Sequence, residues 1–495
     1  MRSFSRRELL AATGIGAAGI IASGAIGSPA LAASDPWVQL RRRLVGALVR
    51  PGDKRYLELA TPRNLRYAAD MPQAIALCAD AADVATAISW ARTTGTPFAV
   101  RGGGHNYASA SSSTGLLIST RAMAKASLRG SVLTAQAGVR NVDLLNLLPQ
   151  GGAGTHILPG GTCPAVGVAG LTLGGGIGPN APWGGLSADH LREVTMVTAD
   201  GDIVAASAKQ NPGLFWGLRG AAGGNFGVVT ELVYDLVEVP VKRATTFLLK
   251  FSDSVNVIAA GVAWQAIRAT GGKSLSGTWN VTSSTTGVTA RVRAQVLMTE
   301  ADARSLMASL LDLPMVSAEV VERSWWDTYS WYVTPVTPSN TFWDRSLFAE
   351  KDLPADLINS VVNIISRFPR PQDGYGGFGI MGWVGGQVNQ VRPHETAYVH
   401  RNATSLLEFN SGWPDPLHPT KWPTPVPADV VDWMDELWET VYPHTSGQSY
   451  QNFPDPKLDD WARAYYGENL RRLSKVKTAW DPDKVFTYRQ GVPLL

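Results

Sequence analysis

The sequence predicts an α+β fold, and three observations predict it. From Met71 onward, apolar runs of strand length alternate with stretches of helical period, the pattern of strand–helix–strand units. Three glycine-rich turns punctuate the first half of the chain: RGGGHNY at 101–107, GGTCPAVGVAGLTLGGGIG at 160–178 and AAGGNFG at 221–227. From about residue 240 the texture changes, with longer β-rich runs between helices and denser Pro and Trp. At 495 residues the chain can bury a large core and hold one to three domains.

Taken in order, residues 1–33 predict a targeting segment. Ser5-Arg6-Arg7-Glu8-Leu9-Leu10 reads as a twin-arginine export signal, an apolar Ala/Gly/Ile run follows, and Ala30-Leu31-Ala32 supplies small residues for cleavage. The run is short and Gly-rich for a membrane anchor, so the expectation is a secreted chain with no anchor after cleavage. An entry helix is expected near 37–48. The run AIALCA is a strand, and Asp80-Ala81-Ala82-Asp83 opens a helix through residue 92, with acids at its positive end. Strands are expected at 96–100, 116–119 and 132–136, and a helix at 141–148. Asp200-Gly201 signals a hairpin between strands at 194–198 and 203–206. A long β-rich run covers 228–239. Further strands are expected at 245–251, 275–281, 290–297, 396–401 and 405–412, with helices at 302–311, 353–368 and 428–442. The segment 375–391 reads as a glycine-broken strand or strand pair, and 413–427 as a Pro-rich loop.

Composition excludes several functions. The charged fraction is 17%, the formal net charge is +3, and no basic stripe suggests nucleic acid. No H-E-x-x-H and no C-x-x-C occurs, so no metal site is expected. Only Cys78 and Cys163 are present. Cys78 ends an apolar run and reads as a buried small hydrophobe; a Cys78–Cys163 disulfide is the structural alternative. The glycine turns place thinly covered backbone beside His105 and Cys163. Successive N–H groups exposed in this way suit a pyrophosphate. They are not the doubly wound dinucleotide fingerprint, because no G-x-G-x-x-G opens a βαβ unit with an acid following.

RGGGHNYA and GTCPAVGVAGLTLGGGIG, with AAGGNFGVV (221–229), SYQNFPDP (449–456) and YYGENLRRLSKVKTAWDPDKVF (465–486), make the chain resemble the berberine bridge enzyme-like branch of the vanillyl-alcohol-oxidase (PCMH-type) flavoproteins. The resemblance covers nearly everything after residue 33. It implies an FAD-binding domain of two α/β subdomains, built from 34–239 and 450–495, around a substrate domain at 240–449 with a large antiparallel sheet backed by helices. It implies FAD tethered twice, through His105 to the 8α-methyl group and through Cys163 to C6. The remaining cofactor contacts would come from Arg101, Gly102, Gly103, Gly104, Asn106, Tyr107, Gly161, Thr162, Val166, Gly167, Gly170, Gly174, Gly175, Gly176, Gly178, Gly227, Val228 and Asn452.

The same resemblance gives the base to Tyr450 of the Tyr-x-Asn segment Tyr450-Gln451-Asn452. A free Tyr titrates near 10, so its pKa must fall for that role. Along Leu407-Glu408-Phe409-Asn410, alternation puts Leu407 and Phe409 toward the core and Glu408 and Asn410 on the other face. Berberine bridge enzyme uses a Glu base on this strand, and Asn410 is expected in that slot, which disfavours carbon–carbon cyclisation. Trp383, Phe378 and Gln387 are candidate substrate contacts. Among other tryptophans, Trp183, Trp325, Trp326, Trp331 and Trp343 are either pocket walls or packing. His400 reads as structural. Val166 matches a small residue that admits O2. The expected activity is oxidation of a hydroxyl on a secondary metabolite, such as an antibiotic, or on a sugar, by a monomer that reduces O2 to H2O2. The alternatives are an oligosaccharide oxidase acting at the anomeric carbon, a flavin dehydrogenase using another acceptor, and a non-catalytic binding protein.

Overall fold

The computed structural model describes residues 35–150, 155–333, 339–414 and 425–495. The expected export signal and most of the Pro-rich loop lie outside the described residues. Met1–Gln39 and Leu40–Leu495 are separate units, and only 35–39 of the first is described. The entry helix is Pro36–Arg43, shorter than expected, and a strand Ala47–Val49 follows it.

Among the described residues of Leu40–Leu495, three sheets position the site. The first runs Ala47–Val49, Ala74–Leu77, Leu116–Ser119, Phe98–Arg101. Its last three strands are parallel, so a crossover must join them. The helix Ala81–Thr94 provides it. Asp80 caps its start by accepting from the Asp83 N–H at 2.9 Å, and Gly95, at φ 67°, ends it. Val84, Ala87, Ile88 and Ala91 face inward at helical spacing. The strand Phe98–Arg101 thereby delivers the first glycine turn at its C-terminal end, where ligands of parallel sheets bind.

The second sheet is antiparallel, in the order Ala126–Arg129, Val132–Gln136, Val228–Asp235, Leu191–Val197, Ile203–Ser207. The third is eight-stranded and antiparallel. Its path is Ser317–Ser324, Arg243–Phe251, Gly287–Val296, Leu275–Ser284, Tyr375–Met381, Ser405–Trp413, Thr341–Phe342, with Arg345–Ala349 also pairing with Ser405–Trp413. The helices Ser254–Gly271, Ala355–Ser366 and Ala428–Val441 cover one face. Phe247, Leu249, Trp279, Phe378, Leu407 and Phe409 point into that core. Strand alternation leaves Asn280, Glu408 and Asn410 on the other face, with Gly377 and Gly379 between them.

Three local expectations fail for identifiable reasons. Residues 396–401 are not a strand, because the N–H groups of Ala397 and Tyr398 donate to the Trp216 and Arg219 carbonyls instead of to a ladder. The helix expected at 302–311 is two, Glu300–Leu306 and Ala308–Leu311, hinged at Met307. The strand begun at Tyr375 stops at Met381, and left-handed turns at Gly385 and Gly386 lead to a short 3-10 helix, Val388–Gln390.

The first two glycine turns meet backbone to backbone. A Cβ on Gly103 would lie 2.4 Å from the Gly167 nitrogen and 2.7 Å from the Ala165 carbonyl oxygen. Only glycine fits there. Gly103→Ala is expected to force the turns apart and to cost about 1–3 kcal/mol, seen as a lower unfolding midpoint in urea with an unchanged m-value.

Candidate functional site

Each turn is held by side chains outside it. Arg101, buried beneath the first turn, makes four hydrogen bonds: Nε to the Ser111 carbonyl, Nη1 to the Leu59 and Ala60 carbonyls, and Nη2 to Ser112 Oγ, at 2.6–3.0 Å. Gly104 takes φ +73° beside its aliphatic stem. Asn64 donates to the carbonyls of Tyr107 (2.8 Å) and Phe342 (3.1 Å). The Tyr107 ring stacks on Phe453 with centroids 4.6 Å apart and meets Phe342 edge-on. Asn141 Nδ2 holds the second turn through the carbonyls of Gly161 (3.3 Å) and Cys163 (3.0 Å).

Between the turns lies a cavity of about 710 Å³. Of the expected residues its wall contains Gly102, Gly103, Gly104, His105, Asn106, Tyr107, Gly161, Thr162, Cys163, Val166, Gly167, Gly170, Gly227, Val228, Trp383, Glu408, Tyr450 and Asn452. Protein encloses Cys163 on most sides, yet its side chain is exposed, because the surface it presents is the cavity wall. It is a free thiol, as is buried Cys78. A Cβ added to Gly170 would meet nothing within 4 Å, so bare backbone faces open space there. Gly223 and Gly224 of the third turn extend the cavity toward Phe98, Tyr465, Tyr466, Phe486 and Tyr488. A cavity walled by exposed glycine backbone, several aromatic rings and two nucleophilic side chains suits a flavin dinucleotide.

Other expected residues lie elsewhere. The guanidinium of Arg101 is consumed in pinning the turn. Behind the wall, a Cβ on Gly174 would strike Asn452, on Gly175 Tyr398, on Gly176 Ser187 and on Gly178 the Gly160 carbonyl, so these four glycines serve close packing. Phe378 is wholly buried on the helix-covered face of the sheet, away from the cavity. Gln387 is not on the cavity wall, and its amide oxygen accepts from Lys273 Nζ at 2.8 Å. His400 is structural: Nδ1 contacts Gln448 Oε1 at 2.8 Å, Nε2 contacts Gln451 Oε1 at 3.0 Å, and the ring stacks on Phe348.

The electrostatics of the wall follow from burial. Burial first, and then the Arg63 cation, push His105 down to about 4, so its imidazole is neutral and nucleophilic at neutral pH. Burial raises the Cys163 thiol, with Arg63 opposing. Burial pushes Tyr450 up to about 12, opposite to the direction a phenolate base requires, although Asn452 Nδ2 (3.0 Å) and the backbone N–H groups of Ile177 (3.5 Å) and Gly176 donate to its oxygen. Burial lifts Glu408 to about 7, against hydrogen bonds from Asn410 and from the Tyr107 hydroxyl at 3.5 Å. Of the Glu408/Asn410 pair it is Glu408 that lines the cavity, and Asn410 stands one step behind it.

Several wall residues escaped the sequence. Ser109–Ser112 and the aromatic end at 486–488 carry no motif of their own. Phe453 stood inside SYQNFPDP, three residues after Tyr450, and that spacing could have marked it.

A family described as FAD binding domain matches residues 72–207, and one described as berberine and berberine like matches 449–493. An uncharacterised FAD-linked oxidoreductase of Bacillus subtilis is 29% identical over 474 residues, covering 92% of this chain and 98% of that one. A carbohydrate oxidase of Microdochium nivale is 29% identical over 469 residues, covering 89% and 92%. The fold matches that of Acremonium strictum glucooligosaccharide oxidase with a TM-score of 0.81 at 24% identity, over 93% of this chain and 100% of the other; that structure is described as having a 6-S-cysteinyl, 8α-N1-histidyl FAD. No helix among the described residues is long and apolar enough to cross a membrane, and no three potential metal ligands converge among them.

Because Arg101 pins the turn from below, Arg101→Leu is expected to destabilise the fold by about 3 kcal/mol or more through four orphaned acceptors. Thermal unfolding checks this, and a variant of unchanged Tm would return Arg101 to ligand binding.

Proposed function

The chain belongs to the berberine bridge enzyme-like family of FAD-linked oxidoreductases, and on that premise we propose that it oxidises a hydroxyl-bearing carbon of a small carbohydrate to a carbonyl and hands the electrons to O2. The observation that carries this reading is that His105, Cys163 and Glu408 share the wall of one cavity. In this reading 34–239 and 450–495 hold the cofactor, 240–449 holds the substrate, and 1–33 direct export. A neutral imidazole at His105 and a cavity-facing thiol at Cys163 are the two covalent anchors, as in the FAD of the glucooligosaccharide oxidase. When bound, FAD supplies the hydride acceptor and the two-electron reductant of O2. The alcohol gives up a hydride from carbon and a proton from oxygen, and O2 with two electrons and two protons becomes H2O2.

The chain's own part is to take that proton and to orient the sugar. An effective base at neutral pH has a pKa near neutrality. Glu408, at about 7, meets this condition and Tyr450, at about 12, does not. We therefore give the proton to Glu408 and assign Tyr450 a hydrogen bond to the substrate oxygen instead of the base role expected for it from the sequence. The Trp383 ring on the cavity wall offers the flat apolar surface that a sugar ring needs. The sequence leaned toward a secondary metabolite, but the carbohydrate oxidase that matches along most of both chains favours a sugar.

Four outcomes test this. Denatured protein is expected to retain one FAD by intact mass, and His105→Ala and Cys163→Ala each to retain it by the remaining bond; flavin-free denatured protein would overturn the tether. Sugar oxidation is expected to yield one H2O2 per carbonyl, whereas a dehydrogenase would yield almost none. Glu408→Gln is expected to lower kcat/KM by about 10²–10⁴ and to abolish the rise of kcat/KM with pH through about 7, because only the ionised carboxylate accepts a proton. Tyr450→Phe is expected to lose only about tenfold, the order of one hydrogen bond; the reverse ranking would restore Tyr450 as the base.

A further inference from the structure

Glu408 has an acidic neighbour that no motif announces. Across from the strand Ser405–Trp413, Arg345 pairs with Phe409, and Trp343 exchanges backbone hydrogen bonds with Ser411 at 3.0 and 3.2 Å. Asp344 therefore lies opposite Asn410, on the face that Asn410 shares with Glu408. The Ser411 N–H donates to Asp344 Oδ1 at 3.3 Å. The Asn410 side chain hydrogen-bonds both carboxyl groups. Its amide has two N–H donors, enough to serve one oxygen of each. Asp344 is 8% exposed and Glu408 9%. Two carboxyls removed from water and joined by one amide do not both ionise cheaply.

We propose that Asp344 and Glu408 form one proton-sharing carboxyl pair bridged by Asn410, in which Asp344 is the positioning residue that keeps the pair's proton and leaves Glu408 ionised toward the substrate. Asp344 is not on the cavity wall and Glu408 is, so the proton rests on the inner oxygen and the charge on the outer one. Burial, and then the Glu408 carboxyl, hold Asp344 well above the usual carboxylate range. The other groups around the pair are the Tyr107 and Tyr375 hydroxyls, the Cys163 thiol and the Arg63 cation. Of these, the Arg63 cation favours ionisation of Asp344 and the Tyr107 hydroxyl favours that of Glu408, and burial outweighs both. When substrate is turned over, the alcohol O–H bond breaks and an O–H bond forms on Glu408, so the pair then holds two protons and releases one to water.

The inference rests on the oxidase reading only in giving Glu408 a substrate to face. Its test uses holoenzyme without substrate, so its failure and the failure of that reading are separate results. The measurement is the infrared carbonyl band of a buried protonated carboxyl, followed with pH. In the unaltered protein the band is expected to persist well above the usual carboxylate range. In Asp344→Asn and in Glu408→Gln it is expected to vanish at a pH lower by about one unit or more, because each leaves a single carboxyl with no charged twin. Either variant titrating as the unaltered protein does would overturn the pair. Asn410→Ala leaves both carboxyls and removes the amide that lowers both, so its band is expected to persist to a higher pH still. This variant decides the matter if Asp344→Asn fails to load flavin, and an unshifted band in it overturns the bridge.

Discussion

The contact between Gly103 and Gly167 is the constraint on which the site depends. His105 lies two residues beyond the first and Cys163 four before the second, so the closeness of these backbones sets the reach of both side chains. A Cβ at either position would separate the turns, since one at Gly167 would come 2.8 Å from the Gly103 nitrogen. Arg101 below the first turn and Asn141 beside the second spend their hydrogen-bonding capacity on keeping these backbones in place. The cavity is therefore built by backbone closeness first and by side-chain chemistry second.

The strands that lead to the turns were legible because their signals are local. Leu116–Ser119 and Val132–Gln136 are short apolar runs bounded by turn residues, and the helix Ala81–Thr94 announces itself by its Asp80 cap. The proposed tethers stood out because His105 and Cys163 each sit inside a dense glycine motif. Non-local facts were not legible. Gly174 and Gly170 read alike in GLTLGGGIG, yet one packs on Asn452 and the other faces open space, and only the folded chain separates them. Phe378 lies within a glycine-broken strand and Gln387 beyond it, and no period could fix the strand's end at Met381. Asp344 follows a tryptophan in a segment without pattern, and its importance comes from a strand more than sixty residues away in sequence, as the 67-residue separation of its Ser411 contact shows.

Burial governs the chemistry of the wall more than any single charge. It drives each titratable group toward its neutral form: His105 down, Cys163, Tyr450 and Glu408 up. That common direction sorts the candidates. A histidine with a low pKa stays neutral and nucleophilic and a carboxyl near neutrality becomes a better proton acceptor, while a phenol driven upward keeps its proton and remains a hydrogen-bond donor. Tyr450 remains essential to the geometry under this ranking, because Asn452 and two backbone N–H groups fix its oxygen from behind and leave its own hydrogen to point elsewhere.

The relative placement of Glu408 and Tyr450 has a specific structural origin. Ser346 pairs across the sheet with Glu408, and its Oγ accepts from the Tyr450 N–H at 3.1 Å. One residue earlier, Arg345 meets Asp455 at 2.7 Å, and Trp343 Nε1 donates to the other oxygen of that carboxylate at 2.9 Å. On the far side of Tyr450, Gln451 donates to the carbonyls of Gly174 and Gly220, and Asn452 to that of Leu171. The segment 450–455 is thus fastened to the sheet by one set of bonds and to the glycine turns by another. A sugar held between Glu408 and the cavity wall would have its reacting carbon set by both attachments at once, so a shift of the strand Arg345–Ala349 would move base and phenol together relative to the turns. That coupling lets the proposed proton acceptor stand on the sheet while the proposed cofactor anchors stand more than two hundred residues away in the chain: the distance is closed by Ser346 and Asp455, not by sequence.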